Sequence, residues 1–245
     1  MWGGERRSVS MSTGKERLMS EENRKAIRIS VRNLVEFVLR SGDIDNRRSG
    51  NAQKDAMLAG GRIHRKIQKR MGSGYRAEVP LKHEVQDEEQ EITLLVEGRA
   101  DGIFTENGIP VIDEIKGMYT DISRLEEPIE VHLAQAMCYG YFYCCDKDLD
   151  GIRLQMTYCN LETEEIKRFQ TDRSREELET WFSGVVHEYF KWARYLYHHE
   201  LTRDASIGHL EFPFPYRAGQ RDLVVSVYRT VSRKKRLFIQ APTGI

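Results

Sequence analysis

The chain has 245 residues, enough for one large or two modest domains. Its 38 Lys and Arg balance 38 Asp and Glu, so no global basic field draws it to nucleic acid, and any such binding comes from local patches. No run approaches the ~18 apolar residues of a membrane span, and the N-terminus has basic residues but no apolar signal core. A reducing, cytoplasmic setting with no membrane partner is therefore expected.

Residues 1–27 are polar, with Gly3-Gly4 and mixed charge, and read as a disordered tail in which Met11 or Met19 is an alternative start. Ser30 is placed to cap a helix whose Leu34, Val35, Val38 and Leu39 form an apolar stripe. Residues 41–51 read as a loop. A second helix is expected over 52–71, with Ala52, Ala56, Ala59, Ile63 and Ile67 on its core face. His64 lies beside that face. The adjacent Gly60-Gly61 costs a helix about 1 kcal/mol per residue relative to alanine, which implies close approach of a strand or a ligand. Lys66, Lys69, Arg70 and Arg76 form a solvated face able to touch phosphates.

Three strands follow. Tyr75–Val85 carries Val79, Leu81 and His83 on one face and Glu78 and Lys82 on the other. Asp87–Glu91 reads as an exposed acidic turn. Ile92–Thr105 and Val111–Tyr119 are joined by Glu106-Asn107-Gly108. Because side chains alternate with period two, Asp101, Glu114 and Lys116 can converge, while Asp113 turns the other way. Two carboxylates and a lysine at a strand edge can hold a hard divalent cation and steer a water beside it, the requirement of metal-assisted phosphodiester hydrolysis.

A helix over Ile129–Cys145 puts His132, Gln135 and Tyr139 on one stripe, and Leu133, Met137 and Phe142 on another. Such a polar stripe needs partners if it is buried. Gly151–Asn160 and Glu165–Gln170 read as an antiparallel pair. Ser174 and Glu177 form a capping box opening a long helix to about His199. Trp181, Phe182, Val185, Val186, Tyr189, Trp192, Ala193 and Leu196 make its broad apolar face, read as core. The four cysteines, Cys138, Cys144, Cys145 and Cys159, lack zinc spacing and read as buried free thiols on a helix and a strand.

The motifs Gly61-Arg62-Ile63-His64, Gly98-Arg99-Ala100-Asp101-Gly102-Ile103, Glu114-Ile115-Lys116 and Gln135 with Tyr139 occur in one order over about residues 55–145. Together they resemble the RecB-type branch of the PD-(D/E)xK nuclease superfamily. The resemblance implies an α/β fold of restriction-endonuclease type, a mixed central sheet flanked by helices, spanning residues 28–205. It also implies DNA as substrate and Mg2+ or Mn2+ as cofactor. Asp101, Glu114 and the Ile115 carbonyl would ligate the ion, with His64 as a further ligand. Lys116 would act on the attacking water, and Gln135 and Tyr139 would position water and DNA. Glu78 has a supporting part. No cysteine precedes Cys138, so the iron–sulfur cluster of some RecB-type nucleases is not expected. The alternative is a catalytically inactive nuclease-like module that binds DNA and guides an ATP-dependent DNA helicase.

From residue 206 the character changes. Phe212-Pro213-Phe214-Pro215-Tyr216-Arg217 is a stiff linker, followed by a helix over 218–231, a basic run and an apolar strand, Leu237-Phe238-Ile239. Ala241-Pro242-Thr243-Gly244 then resembles the start of a phosphate-binding loop, without the Gly-Lys-Ser/Thr that completes one. Arg217 and Gln220 resemble an adenine-reading Q motif. These features resemble the beginning of an XPD-like superfamily-2 helicase, with Arg217, Gln220, Thr243 and Gly244 as nucleotide-binding positions. ATP is expected only in a complete helicase.

Overall fold

The computed structural model describes residues 25–41, 51–89, 91–211 and 213–240, and of residues 51–57 the backbone alone. Residues 1–24 of the tail expected over 1–27, residues 42–50 of the loop expected over 41–51, Phe212, Thr243 and Gly244 lie outside the described residues, as do the side chains of Ala52 and Ala56. The chain divides into two compact units, Met1–Tyr197 and His198–Ile245.

In the first unit the order is β1 (Lys25–Ser30), α1 (Val31–Leu39), α2 (Asn51–Arg70), β2 (Arg76–Gln86), β3 (Ile92–Glu106), β4 (Ile109–Met118), a 3-10 turn (Ile122–Arg124), α3 (Glu130–Lys147), β5 (Gly151–Asn160) and β6 (Ile166–Ser174). The long helix α4 (Arg175–Ile207) follows. The fold is α/β, a mixed six-stranded sheet flanked by helices, as expected.

β3 is the strand on which the sheet is built. β2 pairs antiparallel with it from Arg76↔Ile103 to Gln86↔Thr93. β1 pairs in parallel with Ile92–Glu97, and β4 antiparallel with Gly102–Glu106. A strand has only two edges, so β1 and β4 share the edge that β2 leaves, and among the described residues Gly98–Asp101 has no strand beside it there. Past Asp113, β4 keeps only β5, which runs parallel to it from Val111↔Arg153 to Met118↔Asn160. The sheet therefore forks after the rung Gly102↔Asp113. Asp101 and Glu114 are the next residues out on the two prongs. The hairpin that sets this register turns through Asn107 and Gly108, both at positive φ (52° and 82°), which suits the right-handed twist of its strands.

One face of the sheet carries the main core. Ile112, Ile152, Leu154, Met156 and Tyr158 pack there with α1, α3 and α4. On the other face α2 lays Ile63 and Ile67 on Ile115 and Cys159. Burying each of these aliphatic side chains contributes roughly 1.5–3 kcal/mol. Cys138 and Cys144 are buried on α3 and Cys159 on β5, all with free thiols; Cys145 is partly exposed. The expected caps form: Ser30 Oγ accepts from the Asn33 N–H at 3.1 Å, and Ser174 and Glu177 exchange bonds of 2.8 and 3.1 Å.

Four readings need correction. Residues 25–27 belong to β1 rather than to a tail, because their backbone pairs with Ile92–Leu94. Asp87 is buried rather than on an exposed turn: its Oδ1 accepts the Ile92 N–H at 2.9 Å, and Arg194 stands 3.6 Å from Oδ2. The apolar face of α4 is only partly core. Phe182, Val185, Val186 and Ala193 are buried, but Trp192 and Leu196 are more than half exposed, with Trp192 edge-on to Phe37 and Tyr195. In the second unit, α5 (Gln220–Ser232) forms and Arg217 N–H donates to Gln220 Oε1 at 2.8 Å. Leu237–Ile239 is not a strand, since no described strand lies beside it to take its backbone bonds, and the three side chains are exposed. No helicase segment is evident among the described residues.

Candidate active site at the fork of the sheet

Where the two prongs part, Asp101 replaces the missing rung with its side chain: Oδ2 accepts the Ile115 N–H at 2.7 Å. Its other oxygen, Oδ1, lies 3.2 Å from His64 Nδ1 on α2. One turn on, Gln68 Nε2 donates to the Asp101 carbonyl at 3.0 Å and to Glu78 Oε1 at 3.3 Å. Glu78 sits across from Asp101 in β2 at φ 53°, a left-handed backbone that is unusual for a glutamate and tends to accompany functional sites.

On the facing prong, Glu114 is 4% exposed. Lys116 Nζ donates to its Oε1 at 2.7 Å and to Gln135 Oε1 on α3 at 2.8 Å. Glu114 Oε2 is buried and, among the described residues, has no hydrogen-bond partner. An orphaned buried carboxylate oxygen is costly, and such atoms call for a ligand. Burial pushes the Glu114 carboxyl up to about 7; the Lys116 charge opposes this and the Asp101 charge adds to it. Burial alone would lower the pKa of His64, but its hydrogen bond to Asp101 and the charge of that carboxylate outweigh burial and raise it.

Tyr139 is buried on α3 with its hydroxyl against Gly98, where a Cβ would stand 2.6 Å from the oxygen. The Arg99 N–H, left without a strand partner by the gap in the edge, is bonded to that hydroxyl. A cavity of about 500 Å³ opens beside it, lined by Pro80, Leu81, Lys82, Glu97, Gly98 and Arg99. His132, on the same stripe, stands apart from the carboxylates: its Nδ1 is 3.4 Å from the Tyr158 hydroxyl, and burial, with Lys116 and Arg32 nearby, pushes it down to about 4, so it is neutral at pH 7.

The fork thus brings together Asp101, Glu114, Lys116, His64 and Gln135, with Tyr139 at its margin. Asp113 turns away, as alternation requires. Among the described residues no three His, Cys, Asp or Glu side chains form a ready-made metal cage; the Lys116 ammonium occupies one Glu114 oxygen, and His64 and the Ile115 amide occupy those of Asp101. Among the described residues no strand approaches Gly60-Gly61, which removes the strand half of that expectation: a Cβ at Gly60 would meet nothing within 4 Å, and one at Gly61 only Arg65 Nη1 at 3.7 Å. The sequence reading missed Gln68, whose amide reaches into the site one turn after His64; the i, i+4 spacing from His64 was the available signal.

No protein-family model matches the chain, and no curated protein does. Among solved structures, the crystal structure of SSO0001 is 18% identical over 71% of this chain and 81% of its own, with a TM-score of 0.43. An alkaline exonuclease, LHK-Exo from Laribacter hongkongensis, is 13% identical over 71% and 94%, with a TM-score of 0.39. The same enzyme in complex with dAMP covers 76% and 98% at 13% identity, with a TM-score of 0.38. At such identities and TM-scores these likenesses establish nothing about activity, and the chemistry rests on the side chains themselves.

Proposed function

We infer that the chain is a metal-dependent deoxyribonuclease of the PD-(D/E)xK, restriction-endonuclease-like type. The observation that carries the reading is the buried Glu114 Oε2 without a partner, one residue past the rung at which the strands part and beside a lysine held by a glutamine. Magnesium is commonly held by only one or two carboxylates with water completing its shell. Asp101, Glu114 and the Ile115 carbonyl would hold it. Neutral His64 would add an imidazole suited to manganese. When bound, the ion would polarise the phosphate and lower the pKa of a water.

Lys116 has the protein's own chemical part. Gln135 and Glu114 hold its ammonium at the fork, where it orients the attacking water and offsets charge developing on the phosphate oxygens. Tyr139 fills the edge gap beside the cavity and orients substrate there. For DNA, α2 offers a local cationic stripe on a chain of zero net charge. Arg62, Arg65 and Lys69 recur along its exposed face, on the helix that supplies His64 and Gln68. Among the described residues none of the three is in an ion pair, whereas Lys66 pairs with Glu164. Phosphates docking on such a stripe give salt-dependent binding.

A second reading, a DNA-binding module without cleavage, draws on the Lys116–Glu114 contact, which occupies part of the ion's seat. The ATPase part of the sequence expectation has only the Arg217–Gln220 contact in its favour, and the nuclease reading does not need it. The test is cleavage of 5′- and 3′-tailed labelled DNA with Mn2+ or Mg2+ and no ATP. Wild type cuts, and Glu114→Ala and Lys116→Ala each lose at least ~100-fold in rate, the scale of one acid–base or electrostatic element. Binding without cutting would support the second reading.

A further inference from the structure

Behind the fork lies a second set of polar side chains that the proposed chemistry does not use. Asp113 is fully buried, and its oxygens accept three bonds: Tyr75 Oη at 2.9 Å, Thr157 Oγ1 at 2.6 Å and Gln155 Nε2 at 3.0 Å. Gln155 in turn accepts from Gln170 Nε2 at 2.8 Å. Tyr75 is seated so that no side chain fits beneath its ring: a Cβ on Gly102 would fall 1.8 Å from its Cζ. The same ring stacks on Phe104 at 5.8 Å.

These contacts converge on one place. Gly102 and Asp113 are the last rung before the strands part, Gly102 adjoins Asp101, and Asp113 adjoins Glu114. Tyr75 spans that rung from the face opposite the carboxylates, with its ring on the β3 prong and its hydroxyl on the β4 prong. Thr157 and Gln155 fasten the β4 prong to β5. On the site side, Ile115 N–H to Asp101 Oδ2 bridges the prongs. We propose that Tyr75 and Asp113 are positioning residues: a brace behind the fork that sets the separation of Asp101 from Glu114. Its catalytic consequence rests on the nuclease reading; its geometric part does not.

Three residues make the choice of variant. Asp113→Ala would strand three buried donors and endanger folding. Tyr75→Phe keeps the ring on Gly102 and Phe104 and removes only the hydroxyl. Val185→Ala, in the α4 core away from the fork, serves as the control for general loss of stability.

Native-state hydrogen exchange on the metal-free full chain reads the bridge directly through the Ile115 amide. The brace predicts that Tyr75→Phe speeds Ile115 exchange at least ~10-fold while Leu94 and Val96 in the β2–β3 ladder change little, and that Val185→Ala spares Ile115. Unchanged Ile115 exchange in Tyr75→Phe, or equal acceleration in Val185→Ala, overturns it. In the cleavage assay Tyr75→Phe should lower kcat about 10-fold, the scale on which misplaced groups cost rate, with KM for DNA within ~2-fold. A wild-type kcat would remove the catalytic consequence. A wild type that cuts no DNA at all would sink the nuclease reading and leave the exchange result to judge the brace alone.

Discussion

Asp113 and Glu114 are neighbours on one strand, both buried carboxylates, and they have opposite environments. Asp113 faces the back of the sheet, where three donors satisfy it; burial raises its pKa while its hydrogen bonds to Thr157, Gln155 and Tyr75 pull it down. Glu114 faces the fork, where one oxygen meets Lys116 and the other has no hydrogen-bond partner among the described residues. A carboxylate whose bonds are complete holds structure together. One left incomplete in a dry place is poised for something that arrives later.

The largest effect expected on the back side comes from filling the space under Tyr75. Gly102→Ala forces the ring off β3 and breaks its bond to Asp113, so urea unfolding should show a loss of about 3 kcal/mol, the upper range for overpacking. A loss below ~0.5 kcal/mol would mean that Tyr75 is not clamped there.

On the site side, the incomplete acid should make metal-free stability fall with rising pH. Glu114 holds its proton in the native state up to about 7, against an ordinary value of 4.5. Between those values the native state binds more protons than the unfolded one, so stability is fully present below about 4.5 and is lost as pH rises through about 7. The loss is on the order of 3 kcal/mol. Glu114→Gln should flatten that slope in chemical denaturation measured in EDTA, and an unflattened slope would place the penalty elsewhere.

His64 sharpens the contrast more modestly. Its raised pKa means that a proton competes with any cation, so manganese affinity should climb as pH rises through the imidazole range. His64→Ala should weaken manganese by about 10-fold and magnesium less, as ligand softness requires. Equal affinity in wild type and variant, measured calorimetrically, would take His64 out of the site. The smallest effect concerns Gly60, which has open space around its Cβ position. Gly60→Ala should stabilise by about 1 kcal/mol, and any accompanying loss of DNA affinity would mark the strand's path over α2.

The fork was legible in the sequence where its signals were local. Alternation on β3 and β4, with Asn107-Gly108 between them, fixed which acids face each other. Ser30, Ser174 and Glu177 marked helix starts. The site's back side was not legible, because Asp113 meets Tyr75, Thr157 and Gln155 at separations of 38, 44 and 42 residues, and no local pattern encodes such pairings. β1 escaped for the same reason: a short parallel strand gains its bonds only from Ile92–Glu97. Trp192 and Leu196 show a further limit. Helical spacing reveals an apolar face but not whether anything covers it. Leu237–Ile239 had the composition of a strand, but composition supplies no neighbour.

The most direct measurement is a manganese titration of three proteins: wild type, Glu114→Gln and Asp113→Asn. In Asp113→Asn the amide oxygen still accepts from Thr157 and Gln155 and the amide N–H can donate to the Tyr75 hydroxyl, so the brace is kept, while the amide in Glu114→Gln removes the charge at the orphaned oxygen. The account predicts that wild type binds manganese, that Glu114→Gln weakens it at least ~10-fold, and that Asp113→Asn stays within ~3-fold, since strand alternation turns it away. Unchanged affinity in Glu114→Gln, or an equal loss in Asp113→Asn, would contradict the assignment of the two acids to opposite roles.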